Sequence, residues 1–563
     1  MRAYRTPALL FAAFLPLYLP FRSRFLVNWD AVNFALGTLS FDLQHHQPHP
    51  PGYIGYVTVG WLLNHLTGDA NTSLTLLSVV SVAAAPAGFY LLASLFMDRR
   101  YALWSAILLG LSPIVWYYSG VALTYAVELS LGLFFLWAGY LGRQRRSPRM
   151  LLGATALLVV LGAMRPSGAL FLMPLWLYLV WPVSWRARLS LASVLVVGNL
   201  LWLVPLMWLS GGVGSFVQVS RELVDLVVAP TSVFGGESAA PGAVRNLMFV
   251  GLGVLVGVNF GLLLIAAGLV LAPRTFLGLG KHLVFLTLWL GPSVATYVLV
   301  HTGQLGYVLL ILPAFFLLTG LAMEGLATRR RASAVDEADA VWRPRRLLPA
   351  GSSALLAAGN VAVFLTIPPV LFGFVPKGET VDEDPEPVAG PVAWVATALT
   401  AGGIGSNPRQ FDLRRSDGYW RTLIEFTETH DPDRTAVLTA ADPAGSFRHL
   451  TYYLPDYLVY GLGWDLQHRF GHLFTAYGRA SDYSPRSLHS SGDAVTLPEE
   501  VTTLVIPDRS IQALLPKGVG DRIVLANGFE VVVVSISPHA TLVVRNAMEN
   551  LSTMSVKSAL VQD

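Results

Sequence analysis

Apolar runs of about 15 to 27 residues fill the first two thirds of the chain, separated by short clusters of arginine. They lie at 7–21, 72–96, 101–119, 126–142, 150–165, 168–184, 189–209, 246–272, 282–300, 305–325 and 348–374. A run of roughly 20 apolar residues is long enough to cross a bilayer as a helix. The pattern therefore predicts an α-helical polytopic membrane protein with about 11 transmembrane helices. Near residue 375 the pattern changes. PKGETVDEDPEP is an acidic, proline-containing linker, and the segment beyond it has ordinary charge density. There TAVLTA, TTLVIP, FEVVVVSI and ATLVVR read as strands, while SDGYWRTLIEFTETH and FRHLTYYL read as helices. Two domains are expected: a transmembrane part at 1–375 and a soluble α/β part at 376–563.

Composition agrees. The chain is 54% hydrophobic and 13% charged, against about 25% charged residues in a soluble domain. It has no cysteine, which excludes disulfides, thiolate nucleophiles and Cys-ligated metals. Arginine placement sets an orientation. Arg2/Arg5, Arg99/Arg100, Arg143–Arg149, Arg186/Arg188, Arg274/Lys281 and Arg329–Arg346 all fall on the cytoplasmic side if the spans between them come in pairs. The N-terminus is then cytoplasmic and the C-terminal domain extracytoplasmic, with 7–21 a retained first span. Arg22 and Arg24 are exceptions to this scheme. Residues 52–66 are too short to be a span under the same parity and read as an amphipathic surface helix. HHQPHPPGY then belongs to a long outer loop, 22–71, with Pro50 and Pro51 setting the first turn of that helix.

Several polar residues are expected at the outer level: Asp30, the histidines His45, His46 and His49, then Glu128, Arg165, His301, Gln304 and Tyr307. Ionisable groups at membrane depth are costly unless paired or functional. Two carboxylates, a cation and histidines at one level suit acid–base work on an anionic, membrane-borne substrate. Each has a plainer reading. Asp30 could cap a helix, Glu128 could pair with Arg165, Arg165 could snorkel to water, and His301 with Gln304 could form a polar turn. Three histidines within five residues, interrupted by proline, match no known metal-ligand spacing, so no metal site is assigned. A shaping role for His49, hydrogen-bonding into the cavity, fits better. No phosphate-binding loop, dinucleotide fingerprint or nucleic-acid signature occurs.

An Asp soon after the first span, HPPGY opening a surface helix, and Ser112-Pro113-Ile114-Val115-Trp116-Tyr117-Tyr118-Ser119 leading to an acidic residue form an ordered set. In that order of elements the chain resembles the GT-C glycosyltransferases over roughly residues 1–325. More narrowly it is similar to the protein O-mannosyltransferase and aminoarabinose transferase branch with its bacterial relatives. The resemblance implies an inverting transfer of a sugar from a polyprenyl-phosphate donor to a hydroxyl at the outer face of a bacterial inner (plasma) membrane. It implies Asp30 as general base and Glu128 as the second acidic residue. Arg165, with His49, Tyr53, His301, Gln304 and Tyr307, would meet the donor phosphate or substrate. The implied partners are a polyprenyl-phosphate sugar, membrane lipids and an acceptor that is protein, lipid or glycan, with no nucleic acid. No cofactor is implied, although some GT-C members use a divalent ion where this branch generally does not. The chain departs from the branch at Ala31, where an acidic pair is common, unless Asp42 or Asp69 supplies the second carboxylate.

A transporter or flippase of lipid-linked saccharides is the main rival. It would show repeated halves and polar breaks at the bilayer midplane. No repeat is visible, and Asn199 and Asn259 are the clear mid-span polar residues. A non-catalytic scaffold is a third reading, supported only by the anonymous C-terminal domain.

Overall fold

The computed structural model describes residues 5–229, 232–234, 239–335, 348–365, 410–440, 447–464, 472–478, 489–492, 494–546 and 552–557. The acidic linker and the expected domain boundary at 375/376 lie outside them. The chain forms two compact units. The first comprises Met1–Arg22 and Pro50–Asp412, the second Ser23–His49 and Leu413–Asp563. The second unit thus takes in residues 23–49, which the sequence pattern had placed with the spans.

Among the described residues, the elements of the first unit are all helices. It runs through α1 (Arg5–Tyr18), α3 (Ile54–Thr67), α4 (Ala70–Ala93), α5 (Arg99–Gly110), α6 (Pro113–Ser119), α7 (Tyr125–Arg145), α8 (Pro148–Met164), α9 (Pro166–Val180) and α10 (Trp185–Leu209). It continues with α11 (Val213–Leu223), α12 (Ala239–Val258), α13 (Gly261–Leu271), α14 (Pro273–Leu277), α15 (Leu283–Leu299), α16 (Leu312–Val335) and α17 (Leu348–Leu365). Among the described residues, four helices are long and apolar enough to cross a membrane: Ala70–Ala93, Tyr125–Arg145, Trp185–Leu209 and Pro273–Leu299. The count rises to six if the bent pairs α5–α6 and α12–α13 are single spans. The runs at 7–21, 150–165, 168–184 and 348–374 hold shorter apolar helices, and 305–325 holds a 3-10 turn, Leu305–Leu310, and the start of α16. These lengths and the composition make it a multi-pass membrane protein.

The breaks have local causes. Pro113 opens α6 after Ser112, so its missing N–H and fixed φ suit a fresh helix start, and the pair bends by 59°. Asn259 stands between α12 and α13 with φ 53, a left-handed conformation that Asn tolerates, and that pair bends by 92°. Asn199, in contrast, is satisfied inside its own helix. Its amide nitrogen donates to the Leu195 carbonyl at 2.7 Å and its oxygen accepts from the Trp202 indole at 3.1 Å.

Two expectations about the first loop change. A helix does stand there, α3, but Pro50 and Pro51 do not form its first turn. Gly52 (φ 95) and Tyr53 (φ 39) intervene in left-handed backbone, and the helix begins at Ile54. Arg22, the exception to the charge scheme, is tied to α4, where its guanidinium donates to Thr72 at 3.2 Å and Thr75 at 3.5 Å.

The second unit is an α/β domain. Seven strands run β4 (His489–Gly492), β3 (His472–Gly478), β2 (Leu458–Trp464), β1 (Thr435–Ala440), β6 (Thr503–Ile506), β8 (Glu530–Ser535) and β7 (Asp521–Val524) across one sheet. β1 lies parallel to both β2 and β6, and the outer pairings are antiparallel. A second, three-stranded sheet joins β10 (Ser552–Lys557), β9 (Thr541–Asn546) and β5 (Ala494–Thr496). The four predicted strands correspond to β1, β6, β8 and β9. The two predicted helices are α18 (Gln410–Thr427) and α19 (Phe447–Tyr453).

Strand alternation divides the core. Ala436, Leu438 and Ala440 of β1 face one cluster with Leu504, Ile506 and Val532. Val437 faces the other, with Val459, Val505, Leu423, Leu450 and Phe447. Helix α2 (Trp29–Leu39) is part of this unit, and Trp29 with Phe25 packs on the second cluster.

His449 sits within that second layer, stacked on Trp420 with ring centroids 4.0 Å apart and in hydrogen-bond contact with the Leu26 carbonyl at 3.0 Å. Burial lowers its pKa from 6.5 to about 3. His46 is likewise lowered to about 4, by burial first and then by Arg448 and its neighbouring histidines. Below pH 6.5 the unfolded chain therefore binds protons that the folded unit refuses, and stability is lost as pH falls. The expected loss from His449 is about 1 kcal/mol for each pH unit below its unfolded pKa. Pulse proteolysis in urea between pH 7 and 5, reading peptides from 447–464, should give that slope. His449→Gln should remove about 1 kcal/mol per pH unit from the slope and leave the share of His46, and an equal slope in the variant would assign the effect elsewhere.

Candidate functional site

Glu128 lies in the first turn of α7 and is fully buried. Arg165 closes α8 and opens α9, in extended backbone with φ −151, and is 4% exposed. The Arg165-Pro166 step explains the junction, because a residue before proline is pushed out of the helical region while proline starts the next helix. The Arg165 Nε lies 2.7 Å from Glu128 Oε2. Its Nη1 donates to Thr124, the residue preceding α7, at 2.7 Å.

Tyrosines enclose the guanidinium. Its Cζ stands 4.0 Å from the Tyr125 ring centroid and 5.5 Å from that of Tyr307. Tyr53 and Tyr297 lie within electrostatic reach of it. Tyr297 packs on Tyr307 at 4.9 Å, and Tyr118 on Tyr125 at 5.3 Å. Ring faces attract a cation, and the effect grows where water is removed.

Two glycines make room. A Cβ at Gly168 would stand 2.4 Å from Glu128 Oε1, and one at Gly306 would stand 2.5 Å from the Tyr125 ring. The Gly306 N–H donates to the Tyr118 hydroxyl at 2.7 Å, which pins the short 3-10 turn Leu305–Leu310 against α6. Gln304 caps that turn, its carbonyl accepting from the Tyr307 N–H at 3.2 Å. His301 joins through the Tyr307 ring at 5.8 Å. Glu128, Arg165, Tyr53, Tyr307 and His301 are thus drawn together in the first unit. Tyr118, Tyr125, Tyr297 and Thr124 complete the group. The sequence pattern named Tyr118 only as part of Ser112–Ser119 and gave no signal for Thr124, Tyr125 or Tyr297, because interfacial tyrosines are ordinary in membrane helices.

The second unit holds Asp30 and the histidines. Asp30 does not cap α2. Asn28 does, accepting from the Ala31 N–H at 3.0 Å, and Asp30 stands in the first turn with its side chain 30% exposed. His49 Nδ1 lies 3.6 Å from Asp30 Oδ1, and its ring lies 5.1 Å from Phe34. His45 pairs with Asp42 at 2.9 Å. His46 sits in left-handed backbone (φ 57). The Asn33 amide is assigned the orientation in which it donates to the His46 carbonyl at 3.2 Å and accepts from the Trp29 indole at 2.6 Å. The three histidines therefore do three different things. Among the described residues no group of three His, Asp or Glu side chains could hold a metal ion.

Neither candidate for a second carboxylate near Asp30 is spare. Asp42 caps a 3-10 turn by accepting from the Gln44 and His45 N–H groups. Asp69, in the first unit, caps α4 by accepting from the Thr72 N–H at 2.6 Å.

No protein-family description matches the chain, and no curated protein matches it in sequence. Among solved structures, ArnT from Cupriavidus metallidurans bound to undecaprenyl phosphate is similar, with a TM-score of 0.47 and 14% identity over 94% of this chain and 97% of that one. The archaeal oligosaccharyltransferase AglB from Archaeoglobus fulgidus, in complex with an inhibitory peptide and a dolichol-phosphate, scores 0.45 with 11% identity over 89% of this chain and 69% of its own. At these values no residue's role is carried from either protein to this chain.

Removing one member of a buried ion pair leaves an uncompensated charge, whereas replacing both is far milder. Arg165→Met should lower stability by about 3–5 kcal/mol, and Glu128→Gln/Arg165→Met should recover most of it. Thermal unfolding of the detergent-purified protein reads both. A double variant as weak as Arg165→Met would show that Glu128 is not what Arg165 balances.

Proposed function

We propose that the protein is an inverting glycosyltransferase that moves a sugar from a polyprenyl-phosphate donor to a hydroxyl acceptor at the outer face of a bacterial inner membrane. The observation that carries this reading is the Arg165–Glu128 pair in its tyrosine enclosure. A buried guanidinium in an apolar helical unit is expensive. Phosphate binding is a use that repays the expense, because the planar fork matches phosphate oxygens and stabilises the charge gathered by a departing phosphate. Glu128 and Thr124 hold that fork in place.

In the proposed reaction an acceptor hydroxyl oxygen attacks the anomeric carbon from the face opposite the phosphate. The bond from that carbon to the phosphate oxygen breaks, and polyprenyl phosphate leaves with the bonding pair. Asp30 takes the hydroxyl proton, since a hydroxyl is a poor nucleophile without a base in hydrogen-bond reach. His49, 3.6 Å from its carboxylate, orients it. Tyr53, Tyr307, His301 and Gln304 shape the donor side. The N-terminus is cytoplasmic and the sheet domain extracytoplasmic in this reading. The broken span at Asn259 is the feature that favours the transporter alternative, since transporters use discontinuous helices.

Purified wild type and Asp30→Asn, offered a panel of radiolabelled polyprenyl-phosphate sugars with crude membrane acceptors, separate the readings. Wild type should consume one donor, while Asp30→Asn should bind it and turn it over at least about 100-fold more slowly. Equal turnover by the variant removes Asp30 as base. No turnover by either, with lipid-linked sugar crossing proteoliposomes, would establish the transporter.

A further inference from the structure

Residues 23–49 and the C-terminal α/β residues form one compact unit, and the contacts that join them have a pattern. At the start of the segment, Asp417 of α18 accepts from the Arg24 and Phe25 N–H groups at 2.9 and 3.0 Å. The Leu26 N–H donates to the Tyr453 hydroxyl at 2.8 Å, and the Leu26 carbonyl meets His449 at 3.0 Å. Asp417 and His449 are buried, as is Arg448. Backbone groups of an irregular segment need partners, and here the partners are side chains more than 390 positions away in sequence.

Arg448 fastens the far side. It donates from Nη2 to the His45 carbonyl at 2.6 Å while its guanidinium lies 5.5 Å from the ring centroids of Trp29 and Phe447. Trp29 packs edge-on against Phe447 at 4.5 Å, and its indole N–H reaches Asn33, whose amide holds the His46 carbonyl. Trp29 immediately precedes Asp30, and His45 lies four residues before His49. One side chain therefore ties together both stretches of chain that carry the Asp30–His49 pair.

We propose that Arg448 is a positioning residue for Asp30, so that the C-terminal sheet domain holds the general base in place rather than serving as a separate lid. The catalytic half of this inference rests on the glycosyltransferase reading; the holding half does not. Lysine cannot substitute, because an ammonium lacks the planar face that lies against Trp29 and the fork that reaches His45.

Arg448→Met and Arg448→Lys in the full chain test it, with hydrogen exchange and donor turnover read on the same samples. Exchange across Trp29–Leu39 should rise at least about tenfold in both variants. Protection of Thr435–Ala440 should stay at the wild-type level, as the control for folding. Turnover should fall about 10- to 100-fold in kcat with the donor KM unchanged, since misplacing a base by an ångström costs that much. Wild-type protection of Trp29–Leu39 in Arg448→Met overturns the inference. So does rescue of kcat by lysine, or lost protection with unchanged kcat. Lost protection in the variants, with wild type inactive on every donor, supports the holding role and defeats the glycosyltransferase reading instead.

Discussion

The buried ion pair of Glu128 and Arg165 is the constraint around which the helical unit is arranged. A carboxylate and a guanidinium taken out of water cost several kcal/mol each before their attraction is counted. That cost explains otherwise unrelated details. Thr124 precedes α7 and gives Arg165 a hydroxyl acceptor. Tyr125 and Tyr307 offer ring faces to its cation. Gly168 lets α9 begin against the Glu128 carboxylate, and Gly306 lets the 3-10 turn close on Tyr125. Each is a small residue or a polarisable surface where a bulky aliphatic side chain would leave the charges unsatisfied or apart.

What the sequence revealed follows the range of the interactions involved. Apolar runs and four strong strands are local patterns, and they read correctly as membrane helices and an α/β domain. The break between the runs at 150–165 and 168–184 is also local, and the Arg165-Pro166 step accounts for it. Strands β2 to β5, β7 and β10 were not. They are short or lie in glycine- and polar-rich sequence; β2, β5, β7 and β10 pair with β1, β9, β8 and β9 in turn, and β3 and β4 extend the sheet outward from β2. Pro50 and Pro51 misled for a related reason. Proline favours a first helical turn in general, but Gly52 and Tyr53 adopt left-handed backbone and postpone the helix.

Apart from the pairing of Glu128 with Arg165, the sequence was silent about partnerships across the chain. Arg448, His449 and Asp417 read as ordinary members of amphipathic helices, and nothing nearby marks them as partners for residues 24–45. HHQPH was conspicuous because three histidines stand together, yet the structure separates their work. His45 pairs with Asp42, the His46 carbonyl answers Asn33, and His49 stands 3.6 Å from Asp30. His45 and His49 stay within electrostatic reach of His46, but the backbone, turning through that left-handed residue, gives each of the three a different partner.

The two sets of site residues are thus held by different physics. Arg165 is fixed by the ends of two helices that share it as a cap, and its N–H bonds back to Leu161 within α8. Its placement needs no more than the local fold of α7, α8 and α9. Asp30 stands in a short helix whose entry and exit are fastened by side chains from α18 and α19, so its placement is a tertiary property. Elements secured this way open with the free energy of the contacts that secure them. His449 and Asp417 belong to that set, and burial of neutral His449 makes the contacts weaken in acid while the helical junction at Arg165 has no such dependence on them. If the proposed chemistry is right, the group that moves the proton is the conditional one, and the group that receives the phosphate is built in.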